Sequence, residues 1–188
     1  TCITEVSGAV AAELRDAYNT RRERDRRWAA KWEDIELLVN PNGPLVNGGS
    51  DGDNGQTGRK LAMDYYGPRV PIGGGALSGK DLTHIDRAAA YALRQAAIHA
   101  VRGGATECLV TGVWAPNVGE PLDIIWQLDG RGPRLPNAWF GHAEMVGRQD
   151  VGVVSAALGR GKHFFDGALP WQGGAGEVKL GYVRSGDD

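Results

Sequence analysis

The 188-residue chain predicts an α+β fold, a mixed or antiparallel sheet with helices packed on one face. Strand-like and helix-like segments are mixed without the strict alternation of a doubly wound fold, and a long apolar stripe at helical spacing lies mid-chain. The glycines cluster in loops between periodic segments instead of repeating, which excludes collagen-like and low-complexity classes. With 41% hydrophobic residues the chain can bury one sizeable core, read here as a helical arm, residues 1–34, joined to a domain, residues 35–188.

The chain opens on Thr1-Cys2, as expected of a processed or nicked polypeptide. From Ser7 to Trp32 it reads as helical, first with Val10, Leu14 and Ala17 on one side and then as a charge-dense run from Arg21 to Arg27. Glu23 and Asp25 interrupt that run, so it reads as a solvated face and not as a nucleic-acid arm. Trp28 and Trp32, one helical turn apart, are placed to dock the arm onto a neighbour. A short strand, Ile35 to Val39, then meets the turn sequence Asn40 to Pro44, and Leu61 to Tyr66 reads as another strand.

The central helix is announced by Ile85, Ala89, Ala92, Leu93, Ala96 and Ala100, with Thr83 and Asp86 at capping-box spacing before it and Gly103-Gly104 after it. Strands are expected near Glu107 to Val113 and Leu122 to Leu128. A glycine- and proline-rich connection, Asp129 to Pro136, leads to a helix from Ala143 to Leu158 and a compact aromatic closing segment from His163 to Trp171.

Composition narrows the function classes. A net charge of −2 exerts no global pull on nucleic acid, and no run is apolar enough to predict a membrane span, so neither is expected as a partner. Cys2 and Cys108 are the only cysteines, which predicts a reduced, cytoplasmic setting. The histidines His84, His99, His142 and His163 lack metal-ligand spacing, so zinc is not indicated, and without a G-x-S-x-G elbow or a Cys/His pair nucleophilic hydrolysis has no support.

The chemistry is concentrated in two glycine-rich loops, GGSDGDNGQTGRK from Gly48 to Lys60 and GGGALSGKDLTHIDR from Gly73 to Arg87. Glycine lets backbone amides approach an anion, and lysine or arginine neutralises its oxygens, so the pair reads as a cradle for a polyphosphate. Gly74, Gly79 and Lys80 have P-loop spacing, but Asp81 stands where a P-loop carries its magnesium-binding hydroxyl, so an ordinary P-loop is not expected. Asp86 has two compatible readings, a helix-capping carboxylate and a ligand at a helix start where anions also bind.

These loops, ungapped, together with VGEP at Val118 to Pro121, resemble the C-terminal part of the S-adenosylmethionine synthetases, or methionine adenosyltransferases, from about Leu37 to Pro121. The closing segment from His163 to Trp171 is similar to that family's HFGR…FPW stretch. The resemblance implies a transferase that joins methionine to the adenosyl group of ATP by displacing tripolyphosphate, which needs preorganised cations and magnesium more than a covalent nucleophile. By position it implies that Arg59, Lys60 and Lys80 grip the tripolyphosphate as the catalytic cations and that Asp86 binds magnesium. It further implies that Asp53 faces the substrates and that Ser78 and the backbone around Gly75 line the cradle, with potassium a second candidate cation.

The departures from the pattern are as specific. His84 stands where the family has a phosphate-binding lysine, making one fixed charge conditional on pH, and Pro44 and Leu45 stand where it has arginine and the adenine-stacking phenylalanine. The family's N-terminal magnesium ligands and GAGDQG loop have no counterpart here, so the resemblance implies that the site is completed by an N-terminal-half partner in a homo- or hetero-oligomer or by a missing upstream segment. A non-catalytic regulatory or scaffold subunit that binds nucleotide or polyphosphate is the alternative, and a diverged transferase acting on another nucleotide or thioether the third.

Overall fold

The computed structural model describes residues 3–44, 46–52, 70, 77, 79–149, 158, 163–164 and 169–172. The chain divides into two compact units, Thr1–Gly55 with Ala115–Val118, and Gln56–Trp114 with Gly119–Asp188.

In the first unit, α1 spans Ile3–Arg24, with Glu5 in its first turn and Arg21, Arg22 and Arg24 in its last, charges that suit the helix dipole at each end. None of its described side chains is buried. The helix stops well before Trp32 because Asp25 offers the backbone a competing partner: its carboxylate accepts from the Arg27 amide and from Arg27 Nε, each at 3.0 Å. Those bonds hold the Asp25 carboxyl below the usual carboxylate range. The chain then folds back on α1. Tyr18 donates its hydroxyl to the Ala30 carbonyl at 2.8 Å, and its ring meets Trp28 at 5.5 Å and Trp32 at 5.8 Å. The neighbour these tryptophans dock onto is thus the arm's own tyrosine. A single 3₁₀ turn, Trp32–Asp34, follows, and Ile35 is extended but forms no ladder, so the strand expected over Ile35 to Val39 is absent. The turn at Asn40 forms as expected, closed by the Gly43 amide on the Asn40 carbonyl at 2.8 Å.

The second unit is built on α2, Ile85–Arg102, packed against a two-stranded antiparallel sheet of β1, Ala105–Val113, and β2, Asp123–Gly130. The register pairs Cys108 with Leu128, Val110 with Trp126 and Gly112 with Ile124, and alternation along each strand puts these residues on one face. Against that face α2 presents Ala88, Ala89, Ala92, Ala96 and Ala97, small side chains that let helix and sheet approach closely. Phe140 and Met145 complete this core, and the thiol of half-buried Cys108, which is free, is pushed up by burial. Between α2 and β1, Gly104 adopts φ +117°, and a Cβ there would meet the Arg131 carbonyl at 2.9 Å, so only glycine makes this turn without strain.

A 3₁₀ turn, Asn137–Phe140, leads into α3, His142–Arg148. This helix ends at Gln149, which is extended, and Arg148 lies over the Trp139 ring at 3.7 Å while donating to the Trp139 carbonyl at 2.7 Å; of the remaining span expected to be helical, residues 150–157 lie outside the described residues and Leu158 is helical. Partial burial brings the Arg148 guanidinium down to about 10. A second core gathers Leu77, Leu82, Leu158, Phe164, Leu169 and Trp171 around Tyr91 of α2, so the aromatic closing segment seals the side of α2 that carries Tyr91. The strand expected at Leu61 to Tyr66 lies outside the described residues. Among the described residues, no helix is long and apolar enough to cross a membrane.

Candidate functional site

The site is the loop from Gly79 to His84 together with the first turns of α2. Gly79, at φ +79°, turns the chain in a left-handed conformation that a side chain would strain. Lys80 follows, with its ammonium bonded to the Asp86 carboxylate; the lysine side chain is 13% exposed and the aspartate 37%. Asp81, one residue on, faces the other way in its bonding. Its carboxylate accepts from the Thr83 hydroxyl at 2.7 Å and the Thr83 amide at 2.8 Å, and these bonds, the hydroxyl's first, hold the Asp81 carboxyl below the usual range.

The helix start differs from the capping box that Thr83 and Asp86 predict. Thr83 is spent on Asp81, and the cap is His84, whose Nδ1 accepts the Asp86 amide at 3.2 Å. A ring nitrogen that accepts carries no proton, so this bond places the proton of a neutral His84 on Nε2. A second histidine contact secures the loop from α3: an amide carbonyl only accepts, so His142 Nε2 donates to the Thr83 carbonyl, at 2.6 Å. From behind, buried Arg87 donates through Nη1 to the Lys80 carbonyl and through Nε to the Tyr91 hydroxyl at 3.0 Å.

Of the residues expected at the site, Lys80, His84 and Asp86 are brought together on this one turn. Arg59, Lys60, Asp53, Gly75, Ser78 and Leu45 lie outside the described residues. Sequence reading passed over Arg87, Tyr91, His142 and His163. The four-residue spacing of Arg87 and Tyr91, which puts them on one helix face, was the available signal; nothing local marks His142 as a neighbour of Thr83. Among the described residues no group of three or more His, Cys, Asp or Glu side chains could enclose a metal.

Residues 47–135 match the family described as S-adenosylmethionine synthetase, C-terminal domain. The S-adenosylmethionine synthase of Gluconacetobacter diazotrophicus is 47% identical over 107 residues, 56% of this chain and 27% of that protein. Its counterpart in Parvibaculum lavamentivorans is 50% identical over 98 residues, 52% of this chain and 25% of that protein. Among solved structures, an unusual S-adenosylmethionine synthetase from Campylobacter jejuni superposes with a TM-score of 0.52 at 25% identity, covering 92% of this chain and 47% of that one. The matches thus span about a quarter of the length of these curated relatives. The likeness rests on the two glycine-rich loops, α2 and the β1–β2 pair, and by it this chain is similar to the C-terminal portion of the S-adenosylmethionine synthetases.

Proposed function

We propose that this chain is a component of a methionine adenosyltransferase-like enzyme and supplies the tripolyphosphate- and magnesium-binding half of a site completed by a partner chain or an upstream segment. The observation that carries this reading is the convergence of Lys80 and Asp86 at the start of α2, inside the segment that matches the family. One is a cation suited to a phosphate oxygen, the other a carboxylate suited to a hard divalent cation. In the structure they neutralise each other. Ligand binding exchanges that pair for two new ones, Lys80 to phosphate and Asp86 to magnesium, so the site is held in a low-charge state until its ligand arrives.

Magnesium fits this donor set because it is commonly bound through one or two carboxylates plus substrate phosphates, and Asp86 is partly exposed. When bound, it supplies neutralisation of the charge that accumulates on a leaving polyphosphate. Lys80 does the rest of the work assigned to the described residues, holding and orienting the departing chain, with Arg59 and Lys60 as the further cations of the same cradle. ATP and methionine are the substrates of this reading, and an N-terminal-half partner in a homo- or hetero-oligomer, or a missing N-terminal half, completes it.

Calorimetry with inorganic tripolyphosphate and magnesium tests the binding half directly: the full chain is expected to bind, and Lys80→Ala to abolish the binding. Unchanged affinity in Lys80→Ala would sink the assignment. Turnover is read by mass spectrometry of S-adenosylmethionine formed from ATP and methionine by the chain purified with its native partners. A second reading, a subunit that binds polyphosphate without turnover, is favoured by one feature: His84 is engaged as a helix cap where the related enzymes have a fixed cation. Tight tripolyphosphate binding with no product from the native assembly selects it.

A further inference from the structure

Behind the Lys80–Asp86 pair sits a buried charge that the proposed chemistry leaves without a task. Arg87 is 8% exposed, and the atoms its guanidinium bonds are neutral, the Lys80 carbonyl and the Tyr91 hydroxyl. The described carboxylate that feels its charge, Asp81, is exposed and occupied by Thr83. Burying a guanidinium is costly even when a carboxylate accompanies it, and an arrangement that spends the cation on a main-chain oxygen needs a reason.

The bonds beyond Arg87 supply one. Because Nε can only donate, the Tyr91 oxygen accepts from Arg87, and the same hydroxyl is hydrogen-bonded to His163 Nδ1, 2.8 Å away. His163 is 1% exposed, and its carbonyl accepts from Trp171 Nε1 at 2.6 Å. The Tyr91 ring lies flat on Trp171, with centroids 3.9 Å apart and planes within 4°. One continuous series of bonds therefore runs from the closing aromatic segment, through the body of α2, to the peptide of the lysine in the site.

We propose that Arg87, Tyr91 and His163 are positioning residues for Lys80, fixing its backbone so that the ammonium is already aimed when a polyphosphate binds. This rests on the reading of Lys80 as a polyphosphate-gripping group. A lysine side chain is a flexible stem, and what the protein can fix in advance is where that stem starts. Arg87 does this with a bond from a planar, rigid fork, and Tyr91 holds the fork in place while His163 holds the hydroxyl. The loss of one such hydrogen bond to a charged group is expected to weaken binding about tenfold.

The test is calorimetry of the full chain with inorganic tripolyphosphate and magnesium. Tyr91→Phe keeps the ring stack and removes one oxygen, so it is expected to bind about tenfold more weakly while its circular dichroism matches the unsubstituted chain. Arg87→Lys keeps the charge but gives up the fork, and the same loss is expected; the double variant is expected to be no weaker than Arg87→Lys alone, since both cut one series. Absence of binding in the unsubstituted chain overturns the Lys80 reading together with this one. Binding there with equal affinity in Tyr91→Phe, or with additive losses in the double variant, overturns the positioning role and leaves the Lys80 reading standing. Should Tyr91→Phe fail to fold, NMR of the unsubstituted chain decides: the Arg87 Nε–H signal is expected to exchange slowly and to move when tripolyphosphate is added, and a signal indifferent to tripolyphosphate overturns the role.

Discussion

α1 and α2 are long helices of similar size, 22 and 18 residues, with opposite surroundings. α1 buries none of its described side chains, and toward its end Tyr18 meets Trp28 and Trp32. α2 is buried on two sides, its alanines against the sheet and Tyr91 against the closing aromatic segment. A helix with no buried side chain opens locally more readily than a helix packed along its length. Lys80 and Asp86 are placed at the start of the second kind. The site proposed to aim charges at an anion therefore rests on the better-packed helix.

The largest test of that contrast is Phe140→Ala. Phe140 is fully buried in the core under α2 and meets Trp139 at 4.9 Å and Trp126 at 6.1 Å, so its removal is expected to cost about 3–5 kcal/mol. Urea unfolding followed by amide exchange in α2 reads it. A loss below about 1 kcal/mol would show that α2 is not packing-limited, and the contrast with α1 would lapse.

The same difference decided what could be read from the chain. α2 and both strands were legible because burial imprints a period on the sequence: Ala89, Ala92, Ala96 and Ala100 fall at helical spacing, and Val110 and Gly112 alternate with exposed Thr111 and Val113. The end of α1 was not legible, because it depends on Asp25 reaching for Arg27, a local bond that leaves no period. Ile35 to Val39 has a strand's composition but meets no ladder, and a ladder is made by the partner and not by the segment. Within the site, Lys80 and Asp86 were legible from the loop motif, while His163 was not, since it lies 72 residues from the Tyr91 it bonds. His142 was hidden the same way, 59 residues from Thr83.

Next in size is Asp86→Asn, which sharpens the claim that the start of α2 holds a self-neutralised pair. Removing the carboxylate frees Lys80 and takes a negative charge from the site, so tripolyphosphate without magnesium is expected to bind about tenfold more tightly, about 1.4 kcal/mol. With magnesium present the sign reverses, because the variant lacks the carboxylate proposed to hold the metal. Calorimetry in both conditions checks this, and a change of the same sign in each would separate Asp86 from magnesium.

A smaller effect is expected in α1. Tyr18→Ala removes both ring contacts and the bond to the Ala30 carbonyl, and the expected cost is about 1 kcal/mol, visible as faster amide exchange between residues 15 and 24. Loss of helicity through all of α1 in this variant would mean that these contacts, and not propensity, hold the helix.

The smallest effect is a pH dependence at the far end of α2. His99 lies in the last turn, where the helix carbonyls favour an imidazolium, yet burial wins and lowers its pKa. The folded chain thus prefers the neutral ring. Above the ordinary imidazole value, about 6.5, both folded and unfolded rings are neutral and His99 contributes no pH dependence. As pH falls through that value the unfolded chain takes up the proton first, so stability declines until the folded ring is protonated too. His99→Gln is expected to flatten this limb between about pH 7 and pH 5 in unfolding midpoints, with the rest of the profile unchanged. An unaltered slope would show that the last turn of α2 is open to water like α1, and that the packing of α2 stops short of its end.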